Sequence, residues 1–120
     1  LNQANRILKP KGKLIIAVPN HKSWDANHYK AHWAAWDVPI HLWHFSKTTL
    51  KQLLKNHNFT LIKTKPMIFD SYYVSLLSEE FISGKKNFIK GFAIGLISNI
   101  FGILTKRGHS SITYIFEKKQ

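Results

Sequence analysis

The chain has 120 residues, the size of one small domain and too few for two independent cores. Hydrophobic residues make up 44 % and charged residues 20 %, which excludes wholesale disorder. No cysteine is present, so disulfide frameworks, cysteine-ligated zinc and thiol catalysis are excluded. With 18 Lys and Arg against 6 Asp and Glu the net charge is +12, which alone would indicate nucleic acid or an anionic membrane as partner.

The first twenty residues predict a helix end, a turn and a strand. The chain begins at Leu1, its only methionine is Met67, and no signal-peptide pattern opens it, so we expect the trailing part of a longer cytoplasmic protein. Apolar spacing in residues 1–8 predicts a helix, and Pro10 with Gly12 predicts a type I turn. The apolar run 14–18 predicts a strand covered on both faces, as in a parallel sheet.

Residues 21–44 are rich in aromatic and imidazole side chains. Part of this segment, 26–36, is compatible with a helix, and Pro39 must interrupt any helix there. Such a density of rings usually lines a cleft or the edge of a core. The segment holds His21, His28, His32, His41 and His44 together with Trp24, Trp33, Trp36 and Trp43.

The remaining elements follow from capping signals and periodicity. Ser46 is a predicted N-cap, and Asn58 suits the left-handed residue that closes the following helix. Further predictions are strands at 60–65 and 112–116 and helices at 72–81 and 88–104, the second with a wide apolar face and a Gly91/Gly95 pair.

Several of these segments, in order, resemble class I S-adenosylmethionine-dependent methyltransferases. Residues 8–20 (LKPKGKLIIAVPN) are similar to the segment that enters the fifth strand of that family, and residues 39–54 are similar to its "P-x-H-x-x-x-[FY]-[ST]" stretch and the helix after it. Residues 58–59 resemble the entry to the sixth strand of that family. Residues 110–118 resemble its terminal antiparallel strand. Lys11 and Asn58 stand where the family usually has glycine.

The resemblance implies an α/β fold, namely the C-terminal half of a doubly wound, Rossmann-like sheet. Residues 1–120 would be a partial methyltransferase domain, with 71–107 as a helical insertion or lid before the last strand. It also implies S-adenosylmethionine as the cofactor of the full-length parent. The Gly-rich loop and the acidic residue that hold this cofactor in the family are not found in the chain, and no G-x-G-x-x-G occurs. The chain alone is therefore expected to be inactive and to carry the acceptor side of the active site.

The candidate site residues follow the first strand. Ligands of open α/β sheets lie beyond the carboxyl ends of the strands, so the resemblance implies that Asn20, directly after the first strand, binds the acceptor. Trp36 and Trp43 are predicted to bind it by stacking on an apolar or aromatic group. His41 and His44 are the candidate catalytic bases, because the imidazole pKa lies near neutrality. For each of them a structural role, as a turn residue, a hydrogen-bonded histidine or a core tryptophan, stays open.

Several residues and segments are also compatible with partners or functions other than acceptor binding. His28 and His32 have the i, i+4 spacing of a metal site, and His21 or Asp25 is available as a third ligand, but no H-E-x-x-H motif or cysteine pair supports such a site, and no metal is predicted. We expect a small-molecule or lipid-like acceptor and association with a second copy, and we do not expect nucleic acid. Helix 88–104 is interpreted as a lid or subunit interface, with a weak contact to a membrane surface left open. The alternative function is a basic amphipathic module that binds an anionic membrane or nucleic acid.

Overall fold

The computed structural model describes all residues from 1 to 120. In chain order they form α1 (Asn2–Ile7), β1 (Lys13–Pro19), α2 (Trp24–Tyr29), α3 (Lys47–Asn56), β2 (Phe59–Pro66), α4 (Asp70–Ser83), α5 (Phe88–Leu104) and β3 (Ser111–Lys118). Two short 3₁₀ helices, Lys30–His32 and Ala34–Trp36, follow α2. The chain is therefore an α/β structure, as predicted.

The three strands form one sheet with β3 in the middle. The order is β1-β3-β2, and β3 is antiparallel to both neighbours. Phe116 is the register partner of Leu14 on one side and of Leu61 on the other. Because both outer strands oppose β3, β1 and β2 run parallel to each other without touching. The three strands by themselves do not form a doubly wound parallel sheet.

The burial of the two faces of β1 differs from the prediction. Its side chains alternate between half-buried and exposed, and Ile15 is 65 % exposed. The predicted cover on both faces is wrong for this chain, because α1 and α3 pack on one face, whereas Lys13, Ile15 and Ala17 on the other face are exposed. The apolar run indicated a strand correctly, but it could not show that one face lacks a partner.

The turn before β1 also differs from its prediction. The Gly12 N–H donates to the Lys9 carbonyl at 2.8 Å, as in a β-turn, but Lys11 has φ 62. A positive φ at the third position belongs to a type II turn, so the type I assignment was wrong. Lys11 thus occupies a conformation that favours glycine, the residue that the resembling family has there.

Helix α3 confirms its predicted ends. Ser46 is the N-cap and forms a capping box with Thr49, in which each side chain bonds the backbone of the other residue. Asn58 follows the helix with φ 64, the predicted left-handed conformation. α4 and α5 are also present, α5 with its predicted bounds.

The predicted helix at 26–36 is interrupted. α2 ends at Tyr29, and Lys30 has φ 52, which no α-helix tolerates. His28 and His32 therefore lie in different helices and do not share one face. The His28 ring instead stacks on Trp24, with 5.1 Å between ring centroids.

Two separate apolar clusters hold the molecule together. The sheet region, which consists of the three strands with α1 and α3, buries Leu50, Leu54, Phe59, Ile112, Tyr114 and Phe116. The helical region, which consists of α2, the 3₁₀ helices, α4 and α5, buries Ala26, Tyr29, Trp33, Ala34, Ala35, Val74 and Ile94. The strand ends lie where these two regions meet.

Candidate active site

Two cavities lie at the carboxyl ends of β1 and β2, where the sequence predicted a ligand. The first cavity is lined by Asn20, which follows β1, and by Ile112 of β3. The second cavity is lined by the adjacent residues Pro19 and Ser111. A short parallel bridge between Asn20 and Phe45 brings the start of α3 to the same place. We call the first cavity the basic cleft and the second the His41 pocket.

The basic cleft has a volume of about 410 Å³ and no acidic residue in its walls. Four cations line it, and none of them forms an ion pair: Lys22, Lys47, Lys106 and Arg107. The first turn of α3 also opens into it, with the partial positive charge of a helix N-terminus. The cleft therefore carries positive potential suited to an anionic group.

Asn20 forms the inner wall of the basic cleft and is almost fully buried. Its Nδ2 donates to the carbonyls of Arg107 at 2.7 Å and His109 at 3.0 Å, and its Oδ1 accepts from the Lys22 N–H at 3.2 Å. Both amide hydrogens are thus used by the protein itself. The structure gives Asn20 a clear task, which is to fix the loop between α5 and β3 against the end of β1.

The His41 pocket has a volume of about 250 Å³ and mixes apolar and ionisable walls. His41 Nδ1 lies 3.3 Å from Asp37 Oδ2, and both side chains are partly exposed. The buried hydroxyl of Ser111, another lining residue, has no hydrogen-bond partner. The remaining lining residues are Pro19, Ala34, Ala35, Asp70, Tyr73, Val74 and Leu77. α4 therefore supplies one wall of the pocket.

Trp36 and His44 lie together, whereas Trp43 lies apart from both cavities. His44 Nε2 donates to the Trp36 carbonyl at 2.8 Å, since a carbonyl only accepts, and this leaves Nδ1 free. The two rings pack edge to face at 4.8 Å, and Trp36 packs in the same way on Trp33. Trp43 is 79 % exposed and lines neither cavity. Of the five predicted site residues, Asn20 and His41 line the cavities.

A buried carboxylate links the two regions next to these cavities. Asp25 is fully buried and accepts hydrogen bonds from Trp33 Nε1 at 2.8 Å, Ser98 Oγ at 2.7 Å and Ser110 Oγ at 2.6 Å. These donors come from a 3₁₀ junction, from α5 and from the residue before β3. Asp25 therefore fixes the helical region to the start of the central strand.

Burial changes the titration of three groups. Desolvation lowers the pKa of His109, which lines the basic cleft, below its usual 6.5, so this histidine is neutral at physiological pH. Burial raises the pKa of Tyr114 to about 12. Burial, and then the neighbouring Glu79, raise the pKa of Tyr29, whose hydroxyl donates to Glu79 Oε1 at 3.0 Å.

Sequence reasoning missed several residues of the two cavities. Asp37 stands four residues before His41, a spacing that could have indicated the pair. Ser111, Lys22 and Lys47 gave no such signal, because they reach the site through the pairing of β3 and the start of α3. No group of three His, Asp or Glu side chains is arranged to hold a metal ion.

The residues present do not make up a site for S-adenosylmethionine. Such a site needs a carboxylate for the ribose hydroxyls, but the basic cleft has no acidic side chain. Asp37 and Asp70 lie in the His41 pocket, whose volume of about 250 Å³ is below the roughly 300 Å³ of pockets that enclose a drug-sized molecule and suits a smaller ligand than this cofactor. No chemical step that involves this cofactor can therefore be derived from this chain.

Comparison with known proteins gives one match. A family model described as "Methyltransferase domain" matches residues 1–64, which include β1, α2, α3 and most of β2. Searches of curated proteins and of solved structures gave no significant match. The matched part covers more than half of the chain and includes Asn20, Asp37 and His41. On this ground, the chain belongs to the methyltransferase-domain family.

Proposed function

We propose that this chain is the acceptor-side part of an S-adenosylmethionine-dependent methyltransferase. In this proposal β1, β3 and β2 are one edge of a larger doubly wound sheet, and the cofactor is held by residues outside these 120. The family match supports a methyltransferase-type function. The finer proposal depends mainly on one observation: a histidine and a carboxylate line a pocket at the carboxyl end of β1.

The Asp37–His41 pair has the arrangement of an oriented base. A carboxylate beside Nδ1 favours the proton on that nitrogen, which leaves the Nε2 lone pair free. Nε2 could then accept the proton that an acceptor hydroxyl or amine loses as it is alkylated. Asp37 is thus a positioning residue, and His41 is the catalytic residue of this proposal.

The other walls of the His41 pocket would orient the acceptor. Val74, Leu77 and Tyr73 of α4 offer apolar contacts, and the unpaired Ser111 hydroxyl offers one hydrogen bond in a buried setting. Trp36 with His44 supports the segment that carries His41. We assign Trp36 and His44 to this supporting role, and Asn20 to holding the α5–β3 loop.

The test uses the full-length protein of which these residues are a part. Calorimetric titration with S-adenosylhomocysteine should show binding by that protein and none by the 120-residue chain alone. If the full-length protein does not bind this product, the proposed function is wrong.

A second measurement tests His41 itself. Transfer of a labelled methyl group to candidate acceptors should fall about 100-fold or more in kcat for His41→Gln, with little change in KM. His32→Gln is the matched control, because His32 is an exposed histidine outside both cavities. Equal loss in both variants would remove His41 from the mechanism.

A further inference from the structure

The outer face of the α4–α5 hairpin is apolar although it is exposed. On α5 the outward residues Ile89, Phe92, Leu96, Ile100 and Ile103 are between 43 and 86 % exposed. They recur at steps of three and four residues, so they form one stripe along the helix. Tyr73 of α4 continues this stripe across a groove that it shares with Phe92. We call these six residues the hairpin face.

The inner face of the same hairpin is mostly small and polar. α5 buries Gly91, Gly95, Ser98 and Asn99 together with Ile94, and α4 buries three serines and Glu79 together with Val74. A helix of a water-soluble domain normally has the opposite arrangement, with its apolar stripe facing the core. The hairpin face is therefore unlike scattered surface leucines and isoleucines, which need no explanation.

Cations stand at both ends of this face. Lys85 and Lys86 precede α5, Lys106 and Arg107 follow it, and all four are exposed. Lys85, Lys106 and Arg107 have no ion pair, and the closest carboxylate to Lys86, on Glu80, is 4.0 Å away. An apolar stripe bounded by unpaired cations is complementary to a surface with an apolar interior and anionic headgroups.

From this arrangement we infer that the hairpin face docks onto an anionic lipid bilayer, with α5 lying in the plane of the interface. None of the helices combines the length and hydropathy needed to cross a bilayer. Docking of a second copy on the same face would bring two identical sets of terminal cations together, in chains that each carry a net charge of +12. Charge complementarity thus favours the lipid surface over self-association.

The test is flotation of the full chain with vesicles, which requires neither cofactor nor methyl transfer. We expect strong binding to vesicles of phosphatidylcholine with phosphatidylserine, weak binding to phosphatidylcholine alone, and weaker binding at high salt. Ile89→Gln with Ile103→Gln should reduce binding at least about tenfold, because two apolar side chains no longer enter the bilayer. Lys106→Gln with Arg107→Gln should reduce it on the order of tenfold on anionic vesicles only.

The matched control is Ile7→Gln with Ile15→Gln. Both isoleucines are highly exposed, at 72 and 65 %, but they lie on α1 and β1 rather than on the hairpin. Circular dichroism of every variant shows whether it is folded. Equal loss of binding in the control pair, or no binding by the unchanged chain, would overturn the inference. The inference would also be overturned if the unchanged chain does not bind vesicles but sediments as a dimer, and if the Ile89/Ile103 variant loses this dimer.

Discussion

In the sheet region, α3 and the strands bury Leu, Ile, Phe and Tyr side chains; in the helical region, α4 and α5 bury mainly serines, glycines, a glutamate and an asparagine, with one valine and one isoleucine. The sheet region is thus held by apolar burial, which needs shape but little direction. The helical region adds to its apolar cluster buried hydrogen bonds and close backbone contacts, which fail when a single partner is removed. The two regions should therefore respond differently to substitution.

The largest effect is expected at Asp25. Asp25→Ala leaves three buried donors, on Trp33, Ser98 and Ser110, without an acceptor, and should reduce the free energy of unfolding by about 3 kcal/mol or more. Urea denaturation gives this value, and hydrogen exchange should show α5 opening first. Glu80→Ala is the control, since Glu80 makes only a 4.0 Å contact with Lys86. A loss no larger than that of the control would contradict the role given to Asp25.

A smaller loss is expected where the two long helices touch. A Cβ at position 95 would lie 2.8 Å from Tyr72 Cα, so Gly95→Ala must push α4 and α5 apart and should cost about 1–3 kcal/mol. Ala93→Leu adds more volume to the exposed side of the same helix and should change stability by less than about 0.5 kcal/mol. If thermal melting ranks the two variants the other way, α5 does not pack through its glycines.

In the sheet region one substitution should raise stability. Lys11→Gly relieves the positive φ of the turn before β1 and should stabilise the chain by about 0.5–1 kcal/mol. Lys9→Gly, in the same turn but without a positive φ, should destabilise it by a similar amount. Chemical denaturation of both variants tests the type II turn, and a loss in both would refute it.

The smallest effect concerns pH. Because the pKa of His109 is lowered in the folded chain, the unfolded chain takes up the proton first as pH falls below 6.5. The free energy of unfolding should thus be independent of this group well above pH 6.5, and it should decrease slightly as the pH falls through 6.5 toward the lowered pKa of the folded chain. His109→Gln should flatten this part of the pH dependence, whereas His32→Gln should not. If the free energy of unfolding depends on pH as strongly in His109→Gln as in the unchanged chain, groups other than His109 cause this dependence.

Local signals predicted most elements of the sheet region. Ser46 and Thr49 cap α3, and Asn58 closes it, because capping needs only neighbouring residues. The family resemblance predicted a terminal antiparallel strand at 110–118, but no prediction placed it between β1 and β2. The coverage of β1 was mispredicted, since Ile15 has the same apolar character whether or not a partner layer is present.

The helical region was harder to predict, for a physical reason. The periodicity of α5 identified its apolar stripe, but not that Gly91 and Gly95 on the other side would make the closest contacts. Asp25 was considered only as a metal ligand, because its donors lie far away in sequence. His41 is predicted as an imidazole next to the start of a helix, and the prediction does not include its partner Asp37.

The place of β3 has a consequence for the order in which the molecule folds. β3 follows both β1 and β2 in the sequence, yet it supplies every inter-strand hydrogen bond of the three-stranded sheet, since β1 and β2 pair only with it. A nascent chain that lacks residues 111–118 therefore has two strands without any partner. Pairing of either strand must wait until β3 has been synthesised, and it depends on contacts between distant parts of the chain, which form slowly. Deletion of the 8 residues of β3 would thus remove all pairing among these three strands, although β1 and β2 stay intact.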